Sequence, residues 1–227
     1  MKSIAILFLS FLVFAAITTS VHCTTDPPNP TEQVRDTDGK LVRVETSYYI
    51  IPATNQTGGG LALRNTTHNE SCPLGIFQED EDNENHGIPV SFYPVNPKKG
   101  VIRVSTDLNI EFSEAPIQCN NSNVWKVDNY NRNPIRFYIS PNGTKGNPGR
   151  DTVNSWFKIE EFESGYKLVH CPSVLDHDDN DDDDEVYDEE EEDEIEVKCK
   201  DVGLVKYSGQ QRLALSDTPF GVVFQKA

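Results

Sequence analysis

Long apolar runs are scarce in this 227-residue chain. Only the stretch from Ile4 to Ile17 is almost wholly apolar, and its 14 residues fall short of the roughly 20 that a membrane-spanning helix needs. No stretch beyond it keeps an apolar period of 3.6 residues over several turns. These absences exclude a bundle of membrane helices and favour strands over helices.

Basic charge is also scarce. The chain has 37 Asp and Glu residues against 20 Lys and Arg, which gives a formal net charge of -17. Sixteen of these acids lie between Asp176 and Glu196, so the remainder of the chain carries a formal charge of only -1. Nucleic-acid binding requires a basic surface that neutralises phosphates. We therefore expect no nucleic-acid partner.

Recognised catalytic and metal-binding motifs are missing. None of the histidines after the leader belongs to an HExxH, a GxSxG or a spaced Cys/His set. These histidines are His68, His86, His170 and His177. The glycines 58–60 lack the Lys-Ser/Thr of a phosphate loop, and Asp36 and Asp38 are not followed by the later ligands of a calcium loop. We predict a protein that is not an enzyme and has no cofactor and no metal site.

The N-terminal segment has the order of parts of a secretory signal peptide. Met1 and Lys2 precede the apolar run, and small polar residues follow it at 18–20. We predict a signal peptide over residues 1–23, with approximate cleavage. The mature protein is then secreted to the extracellular space (the apoplast), with the vacuole as the alternative, and has no contact with a membrane.

Four cysteines remain after cleavage, and they predict two disulfides in an oxidising compartment. They are Cys72, Cys119, Cys171 and Cys199. Three pairings are possible, and we favour the sequential one. A bridge from Cys72 to Cys119 would stabilise the fold by roughly 4 kcal/mol in the chain-entropy model.

Five N-x-[ST] sequons support the same compartment. The candidate glycosylation sites are Asn55, Asn65, Asn69, Asn120 and Asn142. Each is expected on a solvent-facing loop if it carries sugar.

Short runs of β-branched and aromatic residues, broken by turn residues, fill most of the chain. The proline-rich stretch Asp26–Thr31 makes residues 24–33 a disordered lead-in, and the strand-like texture begins at Val34. Many short strands predict an all-β barrel or sandwich over residues 34–227.

The acidic run at 176–196 interrupts this texture. Like charges at this density repel one another and cannot bury a surface, so we predict a solvated loop inserted into the domain. Loose Ca²⁺ binding or docking to a basic partner is the functional alternative to a tolerated surface insertion. We favour the insertion, because no spaced ligand pattern with a turn glycine is present.

The segment Ser91–Val104, with the sequence SFYPVNPKKGVIRV, stands out. Its prolines favour an extended backbone, and Lys98 and Lys99 should project into water. Trypsin-like proteases recognise such a lysine through a buried Asp in the S1 pocket, and a polar hairpin tip is the alternative interpretation.

Several blocks together resemble the Kunitz-type soybean trypsin inhibitor family of plants. The N-terminal block is VRDTDGKLV at 34–42, followed by YYI at 48–50. The later blocks are Cys72–Leu74, Trp156–Ile159, Tyr166–Pro172 and Val222–Lys226. The resemblance covers nearly the whole mature chain.

The resemblance implies a β-trefoil of about twelve strands with pseudo-threefold symmetry. It also implies the bridges Cys72–Cys119 and Cys171–Cys199, and a monomer that inhibits serine proteases, in the manner of plant defence proteins. The implied protease-binding loop comprises Pro97, Lys98, Lys99, Gly100 and Val101, with Lys99 filling the S1 pocket and Lys98 as the alternative.

Two departures from the family favour a second hypothesis. The family's bracing Asn corresponds to Val44, whose side chain cannot donate a hydrogen bond, and Gly100 adds backbone freedom. The alternative is a β-trefoil binding or storage protein that has lost inhibition and engages a carbohydrate or a partner protein.

Overall fold

The computed structural model describes residues 32–54, 57–67, 72–80, 85–115, 119, 122–128, 131–132, 135–174 and 199–227. The predicted signal peptide, most of the lead-in and nearly all of the acidic insertion lie outside these residues. Within them no helix is long and apolar enough to span a membrane.

The described residues form short β-strands and two 3₁₀ turns. The strands are β1 Tyr48–Pro52, β2 Leu61–Asn65, β3 Leu74–Gln78, β4 Val90–Pro94, β5 Leu108–Phe112, β6 Lys126–Val127, β7 Asn131–Arg132, β8 Ile135–Arg136, β9 Ile139–Ser140, β10 Lys158–Phe162, β11 Gly165–His170, β12 Lys200–Tyr207, β13 Gln210–Ser216 and β14 Val222–Lys226. The 3₁₀ turns are Pro97–Lys99 and Arg150–Ser155. The prediction of an all-β protein is confirmed.

Twelve of these strands fall into three units of four. The units are β1–β4, then β5, β6, β9 and β10, then β11–β14, while β7 and β8 form an extra small hairpin. The first and last stretches of each unit meet at one residue pair. These pairs are Tyr48–Val90, Leu108–Phe157 and Tyr166–Val222.

Neighbouring units are joined by full antiparallel pairings, β4 with β5, β10 with β11 and β14 with β1. Together with the single-residue pairs, these connections form a ring that returns to the first strand. The middle strands of each unit pair as hairpins, β2 with β3, β6 with β9 and β12 with β13. This threefold arrangement is the β-trefoil that the resemblance implies.

The core lies inside the ring. Alternate residues of the ring strands point inward and are almost completely buried, as the period of two in a strand dictates. The largest side chains of the core include Tyr48, Phe92, Phe112, Trp125, Phe157 and Phe224. Several of their rings pack edge-on or tilted, such as Phe92 on Phe224 at 5.3 Å between centroids.

The lead-in prediction is wrong at its end. Gln33 forms a β-bridge with Arg103, and the backbone N–H of Val104 donates to the carbonyl of Glu32 at 3.0 Å. Residues 32 and 33 are therefore part of the folded domain rather than of a disordered lead-in.

Candidate functional site

The segment that joins β4 to β5 carries the predicted Lys98 and Lys99. Residues 95–99 are all exposed, and Gly100 is half-buried. Among the residues that the structure describes, Val95 is the one large hydrophobic side chain that is exposed, at 37%. Within that described chain, no carboxylate forms an ion pair with either lysine, so both ammonium groups face solvent.

The backbone of this segment is a turn at 97–99, and the expectation of an extended loop there is wrong. Pro97–Lys99 form one turn of 3₁₀ helix, which the fixed φ of proline at its start allows. The Asn96 side chain accepts a hydrogen bond from the Lys98 N–H at 3.3 Å, and the Gly100 N–H donates to the Pro97 carbonyl at 2.9 Å. Asn96 itself stays extended, with φ -121° and ψ 94°.

Gly100 ends the turn in the left-handed region, at φ 66°. No heavy atom would lie within 4 Å of a Cβ at this position, so the backbone angle rather than crowding favours glycine. The glycine thus closes a formed turn.

Residues 42–44 hold the loop in place through backbone contacts. The backbone N–H of Val44 donates to the Gly100 carbonyl at 3.3 Å, and Arg43 forms a β-bridge with Val101. Further along, the Ile102 N–H donates to the Val42 carbonyl at 2.9 Å. The Val44 side chain cannot donate, as predicted, but its backbone contacts the loop directly.

The other end of the loop is held by β-type contacts of its own. The Val95 N–H donates to the Asp107 carbonyl at 2.9 Å. This bond joins the two ends of the loop, which we call its neck. Ser105, at φ 51°, donates its N–H to the Ile159 carbonyl at 2.8 Å. The exposed turn is therefore carried on a neck that is fixed on both sides.

The 141–150 loop packs against the β4–β5 hairpin. The Lys145 ammonium lies 4.2 Å from the Tyr93 ring centroid and 2.8 Å from a carboxylate oxygen of Glu111. Burial raises the pKa of the Tyr93 phenol, and the charge of Glu111 raises it further. Lys145 is thus held in place, unlike Lys98 and Lys99.

Both predicted disulfides are present. Cys72 and Cys119 are joined by an S–S bond of 2.05 Å, and Cys171 and Cys199 by one of 2.00 Å. Among the predicted glycosylation sites, Asn65 is exposed at the end of β2 and Asn142 is exposed before Gly143. Asn55, Asn69 and Asn120 lie outside the described residues, so all five remain predictions.

The two histidines that the structure describes form no site with each other. His86 packs its ring against Tyr49 at 5.3 Å, and His170 is buried at the end of β11. His68 and His177 lie outside the described residues. No group of three His, Cys, Asp or Glu side chains in the described part of the chain could hold a metal ion.

Sequence reasoning missed a group of cations beside the loop. Arg35, Lys40, Arg43 and Lys226 line a groove of about 390 Å³ that adjoins the residues bracing Gly100. The residues are scattered along the sequence, and no local motif links Lys226 to the others. Only the register of β1 with β14, which sets Tyr48 against Lys226, brings them together.

Comparisons with known proteins agree with this architecture. A family model described as trypsin and protease inhibitor, of the legume Kunitz type, matches residues 34–226. The chain is 41% identical to miraculin from Synsepalum dulcificum over 232 residues, which covers 100% of this chain and 96% of miraculin. It is 35% identical to Kunitz trypsin inhibitor 5 from Arabidopsis thaliana over 227 residues, which covers 100% of both chains.

A solved structure of a Kunitz-type cysteine protease inhibitor from potato is also similar. It has a TM-score of 0.66 and 30% sequence identity, and the match covers 88% of this chain and 98% of the potato chain.

Proposed function

The chain belongs to the Kunitz family of trypsin and protease inhibitors, and from this premise we propose that it inhibits a trypsin-like serine protease through Lys99. The observation that carries the proposal is the β4–β5 turn, in which two solvent-facing lysines stand on a neck fixed by backbone hydrogen bonds. Because members of the family are inhibitors rather than enzymes, the protein acts by binding.

The proposed mechanism is insertion of the loop in the manner of a substrate. The Lys99 ammonium enters the S1 pocket, where it pairs with the carboxylate of the protease, and Gly100 lies beyond the scissile bond. Substrate-like binding needs an extended backbone, so the 3₁₀ turn must open. Opening removes the Asn96–Lys98 and Gly100–Pro97 hydrogen bonds, each worth about 0.5–1.5 kcal/mol.

The neck of the loop explains how cleavage would be resisted. If the Lys99–Gly100 bond is cut, the Val95–Asp107 bond holds the strand on one side and the Val44–Gly100 bond holds the other. The two new ends stay close together, so the freed Gly100 amine can attack the acyl-enzyme ester at Lys99, which restores the peptide bond and releases the protease serine.

We further propose that the protein works as a monomer outside the cytosol, in the apoplast or the vacuole. Two disulfides persist in an oxidising compartment, and the N-terminal segment has the pattern of a signal peptide.

The test is a titration of the purified protein against trypsin, chymotrypsin and papain, with mass spectrometry of any cleavage product. We expect Lys99→Ala to weaken trypsin inhibition by about 10²-fold or more, because the S1 side chain is the main anchor of such interfaces. Slow cleavage should occur between Lys99 and Gly100. Papain belongs in the set because a cysteine protease inhibitor is among the similar structures.

Two matched variants make the result decisive. Lys98→Ala removes the neighbouring exposed lysine, and Lys206→Ala removes an exposed lysine of the β12–β13 hairpin. We expect less than a tenfold effect from the first and none from the second. A larger loss with Lys98→Ala assigns the S1 contact to Lys98, and unchanged inhibition with both loop variants rejects the loop.

The second candidate function is a binding or storage role in which inhibition has been lost. The folded turn and the left-handed Gly100 favour it, since both must change before a protease can bind. It predicts that the wild-type protein inhibits none of the three proteases. A glycan array or a pull-down should then recover a ligand whose binding does not depend on Lys99.

A further inference from the structure

A cationic groove lies directly beside the proposed protease-binding loop. Arg35, Lys40, Arg43 and Lys226 surround it, and Leu41 and Tyr48 contribute apolar surface. Its volume of about 390 Å³ suits a few side chains rather than a large ligand. Outside the acidic run at 176–196 the chain carries a formal charge of only -1, so these four cations are concentrated in one place.

The acids near the groove are already engaged. Asp36, the carboxylate that lines it, accepts hydrogen bonds from the backbone N–H groups of Asp38 at 3.0 Å and Lys40 at 2.8 Å. Lys40 forms an ion pair with Asp38 at 3.0 Å.

Three cations of the groove keep their charge available. Across the residues that the structure describes, no carboxylate forms an ion pair with Arg35, Arg43 or Lys226. One guanidinium nitrogen of Arg35 donates to the Gly39 carbonyl at 2.7 Å, which fixes the position of that side chain. Arg43 and Lys226 are exposed. Three unpaired cations and the carboxylate of Asp36, which only neutral backbone groups contact, leave the groove with a net charge of about +2, which attracts anions.

The groove is continuous with the loop through the backbone. Arg43 is bridged to Val101, and its N–H donates to the Tyr48 hydroxyl at 3.1 Å. The next residue, Val44, donates to the Gly100 carbonyl. A protein that binds at Lys99 and covers Gly100 and Val101 must therefore pass over Arg43.

We propose that this groove is a second contact region for the inhibited protease. It binds carboxylate side chains on the rim of the protease active site, on the side of the scissile bond that follows Lys99. The inference rests on the proposed function and adds selectivity, because it favours proteases with an acidic rim on that side. A polyanionic chain fits less well, since it needs a row of cations longer than the four that line this groove.

The test measures association rates of the inhibitor with two trypsin-like proteases, one with acidic side chains on the rim of its active site and one with a neutral rim, at low and high salt. The variant is Arg43→Gln/Lys226→Gln, and the matched control is Arg136→Gln/Lys206→Gln, which removes the same charges from exposed positions elsewhere. We expect the groove variant to associate with the acidic-rim protease about 3- to 30-fold more slowly at low salt, and the control to match the wild type. Near 0.5 M salt the difference should shrink to about twofold or less.

A second measurement needs no protease. Succinate is added to ¹⁵N-labelled protein, and the side-chain Nε–Hε signals of Arg43 and Arg35 are followed by NMR. We expect both to shift, and the signal of Arg136 to stay in place.

The outcomes separate the two proposals. If Lys99→Ala loses inhibition but the groove variant associates as fast as its control, the groove assignment is wrong and the proposed function stands. If no protease is inhibited and succinate still shifts Arg43, the proposed function is wrong and the groove serves another anionic partner, such as an acidic polysaccharide. If neither protease nor succinate binds, both are overturned.

Discussion

His170 is an ionisable side chain in the core, with only 3% of its surface exposed. Its Nδ1 lies 2.9 Å from the Trp156 carbonyl oxygen, and since that oxygen can only accept, Nδ1 carries the proton. Burial lowers the pKa of His170 below its usual 6.5, and the hydrogen bond to Trp156 opposes this only in part. The imidazole is therefore neutral in the folded protein at neutral pH.

This burial predicts a loss of stability in acid. As the pH falls below 6.5, the unfolded chain takes up a proton at His170 that the folded chain does not, so the free energy of unfolding decreases. The slope from this group is at most about 1.4 kcal/mol per pH unit, and it levels off below the folded pKa. The measurement is urea unfolding between pH 7.5 and 4.5, which brackets the free pKa of about 6.5. We expect the free energy of unfolding of His170→Gln to depend less steeply on pH than that of the wild type. Equal pH dependence in both proteins would contradict this account.

Individual residues differ in how well the sequence predicted them. Lys98 and Lys99 are exposed as expected, because charged residues beside prolines seldom find a core position. The extended geometry was wrong, because a proline φ fits a 3₁₀ turn as well as a strand, and the choice was made by the Asn96 cap and by Gly100. Arg43 and Lys226 meet only through long-range strand pairing, which no local pattern encodes.

Among the elements, β5 holds its neighbours through a single buried amide. Asn109 is fully buried, and its side-chain N–H donates to the Ser155 carbonyl at 2.9 Å. Its side-chain oxygen accepts from the Gly146 N–H at 2.7 Å. One side chain thus fixes both the 141–150 loop and the end of the second 3₁₀ turn.

Asn109→Ala should therefore loosen two elements at once. It leaves a buried carbonyl and a half-buried N–H without partners, so we expect the free energy of unfolding to fall by about 2–4 kcal/mol. Asn123→Ala is the comparison, since Asn123 is also buried but its amide makes one hydrogen bond in the described structure, to the Ala115 carbonyl at 2.8 Å. Chemical denaturation should give a clearly smaller loss for Asn123→Ala. Similar losses would mean that the bridging role of Asn109 adds nothing.

The elements also show where pattern reasoning fails. Two runs have the residue pattern of strands but pair only at single bridges, such as Arg43–Val101. They are Leu41–Val44 and Val101–Val104. Each run leads into a residue with positive φ, Glu45 at 55° and Ser105 at 51°, which ends the pairing. The 3₁₀ turn Arg150–Ser155 was missed because so short a segment carries no apolar period.

At the scale of the whole molecule, the three units are joined through Arg212. Its guanidinium carbon lies 4.0 Å from the ring centroid of Tyr138, 4.9 Å from that of Tyr207 and 5.7 Å from that of Phe77. Each ring comes from a different unit. Burial lowers the pKa of Arg212 below its usual value, while Asp128, 3.8 Å away, favours the charged form. A guanidinium stays protonated under these conditions.

Replacing this cation should weaken the contacts among all three units. We expect Arg212→Met to lower the free energy of unfolding by about 2–4 kcal/mol, because stacking on three rings and the ion pair with Asp128 are lost together. Gln211→Met, a change at the exposed neighbouring position, should change it by less than about 0.5 kcal/mol. Urea unfolding of the three proteins measures both effects. A wild-type midpoint for Arg212→Met would show that packing alone holds the units together.

The threefold symmetry was not visible in composition or periodicity. The short strands predicted an all-β protein, and the resemblance to a known family supplied the trefoil. The reason is physical: each unit keeps its strand directions while the side chains that fill the core differ, as in Tyr48, Leu108 and Tyr166 at equivalent positions. Many combinations of apolar residues fill a core of the same volume, so the backbone repeats where the sequence does not.

The pairing of β1 with β14 has a consequence for the chain during synthesis. Among the described residues, β1 has five registered partners in β14 and one, Val90, in its own unit. A ribosome releases β1 long before β14, so the first strand emerges with most of one edge unpaired. Until Val222–Lys226 emerge, that edge is open to other chains, and chaperones that cover exposed strands have their natural target there. Folding is completed only after translation of the last strand.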